Sequence, residues 1–133
     1  MKKNLSVTGS CLCGEVSFSI SELDRDVVVC HCQQCRKQTG HVVAATRVSD
    51  KALKTTGEQH IHWYAASESA KRGFCRHCGS LLFWKSNDSE HTSVMAGSLD
   101  SPTGLETVAH IFTEFKGDYY KLNDDLPQHL RSD

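Results

Sequence analysis

Between residues 15 and 20 apolar and polar side chains alternate strictly, with Val16, Phe18 and Ile20 on one side of the chain. Such alternation is the pattern of a strand with one face against a core. Val27, Val28 and Val29 form a short β-branched run, and residues 41–48 form another. Residues 60–64 set Ile61 and Trp63 opposite His60 and His62. Further strand-like runs cover residues 81–84, 93–96 and 108–115. Turn formers separate these runs at Gly9, Gly14, Gly57, Gly79, Asn87, Asp88, Gly97 and Gly104. No long stretch keeps a helical period. A single helical turn fits residues 35–39, with Gly40 as its stop. The expected fold is mainly β, with antiparallel sheets. Residues 128–133 read as a polar, frayed tail.

Composition narrows the class. A chain of 133 residues that is 38% hydrophobic and 23% charged reads as one globular domain spanning residues 1–133. It shows no linker, repeat or low-complexity tract. A net charge of -1 makes no case for nucleic acid or an acidic membrane surface as a partner. Residues 4–8 are too short and polar for the core of a signal peptide, and no stretch approaches a membrane span. A cytoplasmic location is the resulting expectation. Thiols stay reduced there, so grouped cysteines favour metal over disulfide.

The chemistry is concentrated in 7 cysteines. They fall in tight clusters: Cys11 with Cys13; Cys30, Cys32 and Cys35; and Cys75 with Cys78. Residues two apart in a strand point to the same side, so an extended segment would aim Cys11 and Cys13 at one ion. The spacing of Cys75 and Cys78 suits a tight turn. The two pairs together make a closed four-sulfur site, the arrangement of a structural zinc. The trio makes a second site with an open position, where a zinc could bind a substrate. His31 lies between trio members but should point to the opposite face, as a packed or hydrogen-bonded histidine. A dication held by three thiolates keeps one net negative charge. It is a weak Lewis acid toward water but a soft partner for another sulfur, so the open site argues for thiol chemistry more than hydrolysis.

Other residues carry weaker signals. Arg36, Lys37, Arg72 and Arg76 lie next to the cysteine clusters and could offset thiolate charge or hold a substrate carboxylate; solvated surface cations are the equal alternative. His60 and His62 share a strand face, and His77 sits inside a cysteine turn, where it would tune or pack against the closed site. Asp124 and Asp125 read as a solvated turn before Pro127. No phosphate loop, dinucleotide fingerprint or Ser/His/Asp order is present.

Three blocks carry a resemblance. They are residues 9–14 (GSCLCG), 30–40 (CHCQQCRKQTG) and 72–79 (RGFCRHCG). With residues 96–100 and 109–111, they resemble the signature blocks of the glutathione-dependent formaldehyde-activating enzyme family over about residues 9–127. The resemblance implies an Mss4-like fold of antiparallel β-sheets organised around zinc. It implies a structural zinc on Cys11, Cys13, Cys75 and Cys78, and a second zinc in the active site on Cys30, Cys32 and Cys35. It also implies a carbon–sulfur lyase that joins formaldehyde and glutathione into S-(hydroxymethyl)glutathione.

The expected activity is therefore a zinc-dependent carbon–sulfur lyase acting on a thiol–aldehyde adduct, with glutathione and an aldehyde as partners and Cys30, Cys32 and Cys35 at its centre. The alternative is a non-enzymatic zinc- or thiol-binding module or carrier, since the sequence offers no evident general base near the trio.

Overall fold

The computed structural model describes residues 6–132. In chain order its elements are β1 (Val7–Ser10), β2 (Ser17–Ile20), β3 (Arg25–Cys30), α1 (Gln33–Thr39), β4 (Val43–Ser49), β5 (Leu53–Thr56), β6 (Ile61–Tyr64), β7 (Ala70–Cys75), β8 (Leu81–Ser86), β9 (His91–Met95) and β10 (Thr107–Ile111). The fold is mainly β, as the alternation predicts. Three strands lie outside the predicted runs. β1 and β5 are short and mixed in polarity. β7 carries Lys71, Arg72 and Gly73, residues that disguise a strand. Its pairing with β6 and β8 on both sides buries Arg72 and Gly73 regardless. No helix among the described residues is long and apolar enough to cross a membrane.

The chain clusters into two compact units. Among the described residues, one comprises 6–25 and 46–104, the other 26–45 and 105–132.

In the first unit β2 lies between β1 and β5, antiparallel to both. Val16, Phe18 and Ile20 are buried, as their alternation requires. A second antiparallel run, β9–β8–β7–β6, sets Phe83 opposite Val94 and Gly73, and Gly73 opposite Trp63. Gly73 makes room for the indole: a Cβ there would sit 2.9 Å from the Trp63 ring. Phe83, 2% exposed, packs against Phe18 at 5.4 Å and stacks on Trp63 at 6.0 Å between ring centres. Aromatic contacts of this kind add to the stabilisation that burial supplies.

In the second unit β3 lies beside β10. The β10–β3 pairing is parallel, with His110 opposite Val29 and Ile111 opposite Cys30. This departs from the all-antiparallel expectation. A parallel partner needs a long crossover, and here more than seventy residues separate the two strands. β10 also stops at Ile111, short of the predicted run to residue 115. Phe112 turns into the left-handed region (φ 53°) and opens a 3-10 turn at Thr113–Phe115.

The C-terminal segment is not the frayed tail its composition predicts. The His110 N–H donates to the Pro127 carbonyl and the His129 N–H to the His110 carbonyl, both at 2.9 Å. The Phe112 and Thr113 N–H groups reach the carbonyls of Arg131 and His129. The free edge of β10 offers backbone donors and acceptors, and a polar segment can satisfy them whatever its side chains.

Candidate metal centres

The first unit gathers the sulfurs of Cys11, Cys13, Cys75 and Cys78 within 4.8 Å of one another. Cys11 and Cys13 do not lie on a strand, as the two-residue spacing predicts. They sit in a turn closed by the Gly14 N–H on the Cys11 carbonyl at 3.2 Å, with Gly14 at φ 83°. That reversal still brings their sulfurs to 3.6 Å. Cys75 ends β7, and Cys78 lies in the turn leading to β8, where the Gly79 N–H donates to the Cys75 carbonyl at 2.8 Å. The two loops are tied by the Leu12 N–H on the Ser80 hydroxyl at 3.0 Å. Cys13 and Cys75 sulfurs stand 3.7 Å apart.

The second unit gathers Cys30, Cys32 and Cys35, again within 4.8 Å. Cys30 is the last residue of β3. Cys32 is the N-cap of α1, its sulfur accepting the Cys35 N–H at 3.3 Å. Cys35 lies one turn into the helix and is buried, its sulfur 3.1 Å from that of Cys32. The helix ends as predicted at Gly40 (φ 87°), whose N–H returns to the Arg36 carbonyl. A left-handed C-terminal residue suits glycine because it has no Cβ to clash. Among the described residues this group holds three donors and the other four.

The donor chemistry fits a cation in both places. Hydrogen bonds to the Cys32 and Cys35 sulfurs, then burial, push the Cys30 thiol far above its usual range. In the four-sulfur group Ser80, through its hydroxyl and backbone, draws the Cys78 thiol down to about 5. At Cys13 a backbone hydrogen bond from Glu15 lowers the thiol, but burial and the sulfurs of Cys11, Cys75 and Cys78 push it up to about 12. Such sets resist ionising together unless a positive ion sits among them. Both groups could hold a metal, and soft sulfur donors select zinc-like ions over hard ones.

The remaining sequence candidates are distributed differently. His60 lies in a 3-10 turn rather than on a strand face with His62. Its Nδ1 meets His77 Nε2 at 2.8 Å, while His62 packs against Phe74. Arg72 is buried, Arg76 and Lys37 are exposed, and Arg36 donates from Nε to the Phe115 carbonyl at 3.2 Å.

His31 stays outside the sulfur group and is 1% exposed. Its Nδ1 lies 2.6 Å from the Tyr120 hydroxyl and its Nε2 2.8 Å from His110 Nδ1. His110 Nε2 donates to Asp124 Oδ2 at 2.8 Å. Asp124 is thus bonded into the unit rather than lying in a merely solvated turn. Sequence reasoning missed Tyr120 and His110, and took Asp124 for surface. Only His110 carried a signal, as a polar residue between Ala109 and Ile111 in an apolar run.

The three blocks, their geometry and the order of the sulfur groups meet in one comparison. The profile of the glutathione-dependent formaldehyde-activating enzyme family matches residues 6–115. The chain belongs to that family. All 7 cysteines of this glutathione-dependent formaldehyde-activating family member lie inside the matched span, while Tyr120 and Asp124 lie beyond it. A protein of Schizosaccharomyces pombe described as an uncharacterized lyase is 29% identical over 76 residues, which is 57% of this chain and 55% of that protein. The match therefore spans little more than half of the relative's length. A crystal structure of a Rhodobacter sphaeroides protein superposes with a TM-score of 0.59 at 25% identity, over 71% of this chain and 88% of that one.

Proposed function

We propose that this protein is a zinc-dependent carbon–sulfur lyase of a thiol–aldehyde adduct, with glutathione as the thiol and formaldehyde as the aldehyde. The observation that carries the reading is the group of three sulfurs at Cys30, Cys32 and Cys35, in a chain of this family whose other four sulfurs form a second group. In this reading Cys11, Cys13, Cys75 and Cys78 hold a structural zinc, and the trio holds a zinc in the active site. A zinc on three thiolates supplies a soft position that takes a further thiol as its thiolate. The family match and the relative's description as a lyase support this reading.

The chain's own residues supply the rest. Cys32 has a double role, because its sulfur also caps α1 and so fixes where Cys35 stands. The first turn of α1, which runs from its N-cap at Cys32 past Cys35, holds these two sulfurs close. Arg36 sits half-buried on the same helix, where its charge favours an anionic thiol substrate. Holding thiol and aldehyde side by side converts a two-body encounter into a local one and supplies much of the rate.

The test has two measurements on the reduced 133-residue chain. Native mass spectrometry counts zinc with and without glutathione, and NMR exchange spectroscopy follows formaldehyde leaving and re-entering S-(hydroxymethyl)glutathione. Two zincs per chain and accelerated exchange support the lyase. Stoichiometric glutathione binding without acceleration replaces it with a zinc- and thiol-binding carrier.

A further inference from the structure

The second unit contains a continuous hydrogen-bonded chain that neither metal group uses. It runs from Asp124 through His110 and His31 to Tyr120, with steps of 2.8, 2.8 and 2.6 Å. The ends differ in exposure. The Asp124 side chain is 47% exposed, whereas His110 and His31 are buried and Tyr120 is half-buried. Tyr120 is bonded to His31, the residue that lies between Cys30 and Cys32 in the chain.

The polarity of the chain follows from its acidic end. A carboxylate only accepts, so with both rings neutral His110 carries its hydrogen on Nε2 and has a lone pair on Nδ1. His31 must then donate from Nε2, which leaves its own Nδ1 a lone pair. Tyr120 must donate its O–H to that nitrogen. The Tyr120 oxygen in turn accepts the Gly117 N–H at 3.3 Å, which holds the phenol in place. Each link fixes the next. A hydrogen bond from His110 holds the Asp124 carboxyl below its usual range, which keeps the acceptor end ionised.

The geometry points to a proton relay, with Tyr120 as the group that exchanges a proton with the substrate and His31, His110 and Asp124 as positioning residues that carry that proton to solvent. The inference rests on the lyase reading and supplies the acid–base group that reading otherwise lacks. In the adduct-breaking direction the carbon–sulfur bond cleaves with its electron pair going to sulfur, and the O–H electron pair becomes the second bond of the carbonyl. The released proton passes to the Tyr120 oxygen. The Tyr120 proton moves to His31 Nδ1, the His31 Nε2 proton to His110 Nδ1, and the His110 Nε2 proton to Asp124. The products are aldehyde, thiolate and a protonated Asp124 that can lose its proton to water. Both histidines remain neutral and only change which nitrogen bears hydrogen. Adduct formation runs the same path in reverse.

Three proteins decide it: the zinc-loaded wild type, Tyr120→Phe and Asp124→Asn. The Phe variant keeps the ring against His31 and loses only the hydroxyl. Exchange spectroscopy with S-(hydroxymethyl)glutathione should show Tyr120→Phe slowed by about 100-fold or more, the usual scale of general acid–base catalysis, with adduct affinity unchanged. Asp124→Asn, whose amide can donate, should slow exchange by at least about tenfold. Nitrogen NMR of the histidines should find Nε2–H on both His31 and His110 in the wild type, and a shift of His110 to Nδ1–H in Asp124→Asn. A Tyr120→Phe protein at the wild-type rate overturns the relay, as does an Asp124→Asn protein with unchanged tautomers. If the wild type gives no acceleration at all, the lyase reading fails by itself. The relay then stands on Nε2–H at both histidines and falls if either carries Nδ1–H.

Discussion

Cys13 and Cys75 are 62 positions apart in the chain, yet their sulfurs stand 3.7 Å from each other. That approach joins the turn after β1 to the end of β7. An ion held there would act as a staple, and its binding free energy would be folding free energy.

Removing a member of this group should unfold the first unit. Cys75→Ser is expected to lose one metal per chain and about 3 kcal/mol or more of stability, on the scale of structural zinc sites. Urea unfolding with zinc counting checks this. A strong chelator should reproduce the loss in the wild type, and a Cys75→Ser protein as stable as the wild type would refute the staple.

Cys32→Ser should behave in the opposite way. Serine is a good N-cap, so the hydroxyl can take over the Cys35 N–H and keep α1 in place. The trio loses a sulfur, and with it the second metal and the lyase activity. Circular dichroism and thermal unfolding are expected to stay close to wild type, while adduct exchange falls to the uncatalysed rate. Full activity in this variant would sink the proposed role of the trio.

Asp50 predicts an acid limit on stability. Burial works against its charge, but the hydrogen bonds from Lys85 and Thr92 outweigh this and hold its carboxyl below the usual range. A carboxyl with a lower value in the folded state stabilises that state above its unfolded value, near about 4, and the gain disappears as pH falls through the folded value. Wild-type stability should therefore decline between about pH 5 and pH 3 more steeply than that of Asp50→Asn. Thermal melts across that window measure the difference in slope, and equal slopes would refute it.

Gly57 holds a position closed to other residues. Its φ is 85°, and a Cβ there would lie 2.0 Å from the Glu15 carbonyl oxygen. Left-handed backbone costs an L-residue about 1–2 kcal/mol before any clash, so Gly57→Ala should lose about 2 kcal/mol or more. Gly97→Ala is the control, since that site has no neighbour within 4 Å and no positive φ. Equal urea midpoints for the two variants would contradict this account.

Much of this protein is legible in its residues because the relevant signals are local. The alternation at Val16, Phe18 and Ile20 sets which side of β2 is buried, since side chains in a strand alternate whatever the rest of the chain does. Cysteines two or three positions apart must converge, whether the segment is a strand, as expected for Cys11 and Cys13, or the turn that was found. Gly40 stops α1 because the left-handed cap needs no Cβ. Tertiary structure alone decided what depends on distant partners. β7 is a strand because β6 and β8 supply its hydrogen bonds, despite Lys71, Arg72 and Gly73. The polar C-terminal segment is ordered because β10 presents an open edge to it. The chain from Asp124 to Tyr120 joins residues up to 93 positions apart in sequence, from His31 to Asp124. A buried histidine is satisfied by whatever group the fold delivers to it, and no spacing rule names that group in advance.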